Sequence, residues 1–198
     1  MVAWLAIQVT ENELRVNSSP NSFNQAVTFT FSTSTWNHIA IVKKGTNLLA
    51  FIDGVLKATW SFPYTIGSTY TIGSEISFFE SGYGLNSLDE LRISNIARWT
   101  KNFTPPTAAY GEIAKCITLL HFDNNATNSS SISQTWTKNQ YVLYSSSVKK
   151  FGTHSMYDQY GVSEADPNPN GDFVNNTGIF YNYLTGDWTA ECWFATLA

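Results

Sequence analysis

The carboxylate side chains are the first residues of this chain that could carry chemistry. Retaining glycoside hydrolysis needs two carboxyl groups roughly 5 Å apart on one face of a strand, which alternate residues would provide. Asp89 and Glu90 are adjacent, so a regular strand points them to opposite faces, and Glu164 and Asp166 stand in a Pro- and Asn-rich loop without a third acid. We therefore interpret these acids as turn and surface residues.

The histidines His38, His121 and His154 are the remaining candidates for acid–base work. Each lies in a strand-like stretch, and no Ser or Cys stands beside one in a nucleophile motif. The sequence thus predicts that the chain is not an enzyme.

Aromatic side chains offer chemistry for binding, because an exposed ring can stack on a sugar while Asn and Asp bond the sugar hydroxyls. Phe78, Phe79 and Tyr83 share one Gly-rich loop, and Trp60 and Tyr64 belong to a second cluster. Both clusters are candidates for carbohydrate binding. The alternative is that they belong to the core or to a contact between subunits.

Two cysteines, Cys116 and Cys192, lack the spacing of a zinc site or a redox motif. Their apolar neighbours favour two buried free thiols, which behave as small apolar residues. A single disulfide between them is the alternative.

Composition restricts the class of protein and of partner. The 198 residues include 15% aromatic and only 13% charged side chains, with a formal net charge of −4. Lys and Arg cluster only as the doublets Lys43-Lys44 and Lys149-Lys150, so binding to nucleic acid is not expected. The apolar opening MVAWLAIQV alternates like a strand, which favours neither a signal peptide nor a membrane span.

The pattern of the chain is that of strands and hairpin turns. Residues 36–60 contain apolar runs interrupted at 45–47 and at Asp53-Gly54, where Gly, Asn and Asp suit tight turns. At residues 187–194, alternation predicts one face for positions 188, 190, 192 and 194, with Trp193 on the other. No long segment has a period of 3.6 residues, so the sequence predicts an all-β fold, an antiparallel β-sandwich.

Several strings along the chain stand in a recognisable order. In the first half these are WNHIA (36–40), FIDG (51–54), YTIG (70–73), LDELRIS (88–94) and the stretch from IARWT (96–100) to PP (105–106). Together they resemble the closing half of the laminin-G-like branch of the concanavalin-A-like lectin and glucanase superfamily, in the form found in phage structural proteins. The resemblance implies a jelly-roll sandwich.

Strings that come later in this chain resemble the opening half of the same family's sandwich. They are LLHFD (119–123), FG (151–152) with Ser155, and GDWTAECWF (186–194). Residues 1–110 thus resemble the C-terminal half and residues 111–198 the N-terminal half of one sandwich. Three arrangements follow from this order. The chain is a circular permutant closed on itself, or neighbouring subunits exchange halves by β-augmentation, or the missing halves lie in sequence outside this chain.

The resemblance also implies a candidate calcium site, because related sandwiches often bind that ion with an Asp near the first strand, backbone carbonyls and an acid near the last strand. Asp123, Asp89 and Glu90 match those positions, and carboxylate oxygens suit Ca²⁺. The alternative is that Asp123 begins a turn and Asp89 caps a strand. No other cofactor is expected.

By function, the resemblance implies a non-enzymatic decoration, tail-fibre or other structural module on the exterior of a phage virion. Its expected partners are other virion proteins and copies of itself, with host-surface glycans as a candidate ligand. The alternative is a secreted or soluble carbohydrate-binding lectin. A glycoside hydrolase shares the fold but would need the paired acids that this chain lacks.

Overall fold

The structure, a computed structural model, describes residues 4–9, 13–19, 23–31, 35–65, 76–78, 86–138, 142–158, 173–175 and 184–196. Every regular element in these ranges is a β-strand, which confirms the predicted all-β class. None of the described residues forms a helix that could cross a membrane. The strands are β1 (Trp4–Val9), β2 (Glu13–Ser19), β3 (Phe23–Thr28), β4 (Asn37–Lys44), β5 (Asn47–Ile52), β6 (Val55–Ser61), β7 (Ile76–Phe78), β8 (Asn86–Ser94), β9 (Cys116–Leu120), β10 (Trp136–Lys138), β11 (Val142–Ser145), β12 (Ser155–Asp158), β13 (Phe173–Asn175) and β14 (Trp188–Thr196).

The larger sheet has eight strands and draws on both halves of the chain. Its order is β11-β12-β8-β14-β4-β5-β6, and β9 also pairs with β8. One edge of β8 bonds β14, while the other edge is shared by β12 at residues 86–88 and by β9 at residues 91–94. Strand β14, near the end of the chain, therefore lies between β8 and β4 from the first half.

The smaller sheet has the order β3-β2-β1-β7. Strands β1, β2 and β3 are antiparallel, whereas β7 runs parallel to β1. A parallel pair needs a long connection, which the many residues between β1 and β7 provide. The sheet is thus antiparallel except at this one pair, while β10 and β13 form a separate two-stranded sheet.

The two main sheets pack face to face over one apolar core, which confirms the predicted sandwich. Alternate residues of the smaller sheet, including Ile7, Leu14 and Val16, meet alternate residues of the larger sheet. Strand β14 contributes Trp188 and Phe194 to this core, together with residues 190 and 192. Trp193 lies on the opposite face, as its alternation predicted.

The predicted turns join β4 to β5 and β5 to β6. Gly45 has a φ of 55°, and both residues of the second turn, Asp53 and Gly54, have positive φ. Two consecutive residues in that region are the requirement of the tight hairpin turn that Asp-Gly favours. The positions of these hairpins are therefore explained by local sequence.

The outer face of the larger sheet is covered by residues 95–115, the connection from β8 to β9 that we call the strap. Trp99 and Phe103 of the strap pack against Ala40, Val42 and Phe51 of the sheet. The rings of Trp99 and Phe103 stack with centroids 3.9 Å apart. A second apolar group on this face comprises Tyr110, Cys116, Leu119 and Trp193. The sheet is therefore buried on both faces along its central strands.

The cysteines are both buried and both free. Cys116 belongs to the apolar group on the outer face, whereas Cys192 belongs to the core between the sheets. Because the larger sheet separates the two thiols, the structure contains free thiols and not the alternative disulfide. Burial raises the pKa of both thiols.

Candidate functional site

Among the described residues, a group of ionisable side chains lies beneath the strap, and we call it the outer-face cluster. Its centre is Glu191 of β14, whose backbone pairs with Arg92 of β8 and Ala40 of β4. Residues 190 and 192 point into the core, so alternation turns Glu191 to the outer face. There its side chain is completely buried.

Both oxygens of the Glu191 carboxylate accept hydrogen bonds from neighbouring side chains. Arg92 donates to Oε1 from Nε at 2.9 Å and from Nη2 at 2.8 Å. Trp99 of the strap donates to Oε2 at 2.7 Å, and His38 Nε2 lies 3.4 Å from the same oxygen. Burial by itself would raise the pKa of Glu191, but the hydrogen bond from His38 and the charge of Arg92 outweigh it and hold the pKa below its usual value.

Tyr110 closes the cluster from the strap side. Its hydroxyl lies 2.7 Å from His38 Nε2, and its ring lies beneath the guanidinium of Arg92, whose Cζ is 4.1 Å from the ring centroid. Burial raises the pKa of Tyr110 well above its usual value. The cluster thus joins the strap to the three neighbouring strands β4, β8 and β14.

Asp89 and Glu90, two of the predicted calcium ligands, lie beside this cluster. Glu90 has a φ of 55°, and the pairing of β8 with β14 shifts by one residue here, so β8 bulges. Asp89 pairs with Trp193 of the outer face, and Glu90 Oε2 accepts the backbone N–H of Tyr110 at 2.6 Å. The expectation that the two acids point to opposite faces is therefore wrong, because the bulge turns both to the outer side.

The remaining bonds of these two acids involve residues of the second half of the chain. Glu90 Oε1 lies 2.8 Å from His121 Nδ1, and this hydrogen bond raises the pKa of His121. Asp89 Oδ2 accepts the backbone N–H groups of Lys150 at 2.8 Å and Phe151 at 3.0 Å. Burial raises the pKa of Asp89 to about 7 in spite of these two bonds.

Asp123, the third predicted calcium ligand, holds the turn before β12. Its Oδ1 accepts from the hydroxyl of Thr153 at 2.9 Å and from the backbone N–H groups of Thr153 and His154. Burial opposes ionisation of this carboxyl, but these bonds lower its pKa overall. A Cβ at Gly152 would lie 2.4 Å from the same carboxylate, which explains the glycine there.

The three acids do not form a calcium shell in this arrangement. Such a shell is built from oxygen ligands, whereas the partners of Asp89, Glu90 and Asp123 are largely N–H donors. Within the described ranges, no group of three or more His, Cys, Asp or Glu side chains could hold a metal ion. Calcium binding at these residues stays a prediction that the geometry does not favour.

The predicted carbohydrate-binding aromatics fall into two groups. Trp60 and Tyr64 are half-buried and pack against the core, with the Tyr64 ring centroid 5.2 Å from that of Phe62. Phe78 lies in β7, while Phe79 and Tyr83 lie outside the described residues. Trp60 and Tyr64 therefore make the core contacts that we gave as the alternative to sugar binding. Sugar binding by Phe78, Phe79 and Tyr83 stays a prediction.

A surface depression that the sequence did not indicate lies between β9 and β10. It is open to solvent and has a volume of about 550 Å³, and its walls are Ala126, Thr127, Asn128 and residues 130–136. We call it the loop depression. The signal that could have revealed it is Trp136, which follows a long run of Ser, Thr, Asn and Gln.

The strings that carried the family resemblance form much of the larger sheet and the outer-face cluster. WNHIA leads into β4 and contains His38, LDELRIS lies in β8 and contains Arg92, and GDWTAECWF covers β14 and contains Glu191. The strap contains the string IARWT. Comparison of the chain with protein families, with curated proteins and with solved structures found no match.

Proposed function

We propose that this chain is a non-enzymatic structural module on the exterior of a phage particle, with host-surface glycans as its ligand class. Its proposed partners are other virion proteins and copies of itself. The family and the virion setting are supported by the strings that resemble laminin-G-like sandwiches of phage structural proteins. Those strings occupy the central strands β4, β8 and β14 and the strap, which together hold the outer-face cluster.

The proposal that the chain is not an enzyme rests on Glu191, whose two carboxylate oxygens are both hydrogen-bonded within the protein. Its carboxylate is completely buried, Arg92 and Trp99 each donate to one of its oxygens, and His38 Nε2 lies 3.4 Å from the oxygen that Trp99 bonds. A catalytic acid or nucleophile needs an oxygen that can reach the substrate. A carboxylate enclosed in this way favours a rigid scaffold over a reacting group.

The topology supports the circular permutant among the three arrangements. Strand β14 pairs with β4 and with β8 of the same chain along most of its length. Strand β9, which resembles the family's first strand, pairs with β8, which resembles its last. We propose that the sandwich closes within one chain, so that assembly with copies of itself uses surfaces and not exchanged halves.

A soluble lectin is the second candidate function, and the loop depression is the observation that favours it. A concave polar surface with one Trp suits recognition of a small neutral ligand whether or not the chain belongs to a particle. Location is therefore what separates the two candidates.

The test uses antibodies against the purified chain and electron microscopy of gold-labelled phage particles. Label on the particle surface is the expected result. Particles that carry no label, combined with glycan binding by the free chain, would overturn the virion role and support the lectin. Release of oligosaccharides from a polysaccharide by the purified chain would overturn the non-enzymatic part.

A further inference from the structure

We propose that the loop depression, walled by residues 126–136, is a binding site for a neutral carbohydrate. This inference deepens the proposed adhesive function and rests on it. The depression has a volume of about 550 Å³, which lies within the range of roughly 300–1,000 Å³ typical of small-molecule sites. None of the described residues that line it is charged, and the nearby carboxylate of Glu112 is bonded to the backbone N–H of Ser131.

The floor of the depression is fixed to the larger sheet by Asn128. Its Oδ1 accepts the backbone N–H of Leu119 in β9 at 2.8 Å, and its Nδ2 donates to the carbonyl of Ile132 at 2.8 Å. The hydroxyl of Ser130 donates to the carbonyl of Ile117 in β9 at 2.6 Å. A loop held at several points loses little conformational entropy on binding, which favours affinity for a small ligand.

The rim of the depression carries hydroxyl groups that these clamps do not use. Thr127, Ser131, Ser133 and Thr135 are exposed, and their side chains make no hydrogen bond to another described residue. A hydroxyl both donates and accepts, as the hydroxyls of a sugar do. The rim therefore matches a polyol better than a ligand that only donates or only accepts.

Trp136 and Gln134 form the end of the depression next to β10. The half-buried indole of Trp136 donates from Nε1 to Gln134 Oε1 at 3.3 Å, and Thr118 donates to the same oxygen at 2.7 Å. Gln134 Nε2 is buried and has no hydrogen-bond partner in the described part of the chain. The ring of Trp136 also packs against the core, and the part of it that borders the depression offers an apolar surface to the face of a pyranose.

The experiment follows the indole N–H resonance of Trp136 by NMR while the intact chain is titrated with neutral free sugars. The probes are glucose, galactose, mannose, N-acetylglucosamine and N-acetylgalactosamine, and the resonance is assigned with Trp136→Phe. A saturable shift with at least one sugar is expected. Absence of a shift with every sugar would overturn the proposal.

Blocking variants then locate the bound sugar. Ser133→Arg and Thr135→Arg place a bulky side chain at exposed rim positions, so both variants are expected to fold and to lose the shift. Ser146→Arg, at an exposed serine outside the depression, is the matched control and should keep it. Sugar binding that survives both rim variants would overturn this site while leaving the adhesive function intact. The location of the chain on phage particles tests that function separately.

Discussion

Arg92 and Glu191 face each other across the neighbouring strands β8 and β14, and two nitrogens of the guanidinium bond one oxygen of the carboxylate. The pair is buried beneath the strap, where Trp99 bonds the other carboxylate oxygen. Buried charges of this kind stabilise a fold only while every partner is present, since an unpaired charge left in the interior is costly. The strap and the sheet thus depend on one another.

Replacing Glu191 with Gln should therefore destabilise the fold strongly. The variant keeps the size of the side chain but leaves the charge of Arg92 without its counter-ion, which typically costs about 3–5 kcal/mol. Urea unfolding followed by fluorescence measures the change. Lys44→Gln is the control, because it breaks the exposed pair with Asp187, and such a pair contributes about 0–1 kcal/mol. Equal losses in the two variants would contradict the anchoring role of Glu191.

Gly54 allows a second test, which asks by steric exclusion whether the strap packs tightly against the turn between β5 and β6. A Cβ there would lie 1.9 Å from the carbonyl oxygen of Phe103, whereas a Cβ at Gly45 would meet nothing within 4 Å. Both glycines have positive φ and lie in hairpin turns, so each Ala variant incurs a conformational cost of about 1–2 kcal/mol. Gly54→Ala should cost about 1–3 kcal/mol more, since backbone must move to admit the methyl group.

Urea unfolding of the two Ala variants measures this difference. The near-ultraviolet circular dichroism of Gly54→Ala should also change, because the stacked rings of Trp99 and Phe103 move with the strap. Equal stabilities of Gly45→Ala and Gly54→Ala would mean that the strap does not press on the turn between β5 and β6.

Local patterns were sufficient to predict the hairpin turns and the two faces of the last strand. The turns at Gly45 and at Asp53-Gly54 follow from residues that accept positive φ, and the two faces of β14 follow from alternation. These features depend on neighbours one to four residues apart. A single sequence therefore contains the information that they need.

The bulge and the outer-face cluster could not be predicted in the same way. Glu90 adopts positive φ although it is neither Gly nor Asn. The partners of Glu191 are far away in sequence, since Arg92 precedes it by 99 positions and Trp99 by 92. The loop depression likewise depends on side-chain clamps between Asn128 and β9. Such contacts exist only after the sheets have packed, so the sequence named Asp89 and Glu90 but not the partners that determine their role.

The raised pKa of Asp89 predicts how stability changes with pH. The folded state keeps a proton up to about pH 7 that the unfolded state releases near the ordinary aspartate pKa of 3.8. Because the folded state binds more protons in this window, the free energy of unfolding should fall as pH rises from about 4 to 7, by up to about 4 kcal/mol. Above the folded pKa this contribution becomes constant.

Asp89→Asn isolates this effect, since Asn keeps an oxygen for the N–H groups of Lys150 and Phe151 but cannot ionise. Unfolding in urea at about pH 5 and about pH 8 should show a smaller loss of stability in the variant than in the natural chain. Parallel pH profiles for the two proteins would show that the surroundings of Asp89 do not raise the pKa of its carboxyl group.

The hydrogen bond between His121 and Glu90 gives the last prediction. It raises the pKa of His121 above the ordinary histidine value of 6.5, mainly because the bonded carboxylate favours the protonated ring. The contribution of this hydrogen bond to stability is therefore complete below about pH 6.5 and is lost as pH rises through the folded pKa of His121.

Titration of the His121 ring protons by NMR should give a midpoint above 6.5. Glu90→Gln should lower that midpoint more than Asp123→Asn, because Asp123 acts on the ring through its charge alone. Equal effects of the two variants would mean that nearby negative charge, and not the hydrogen bond, sets the protonation of His121.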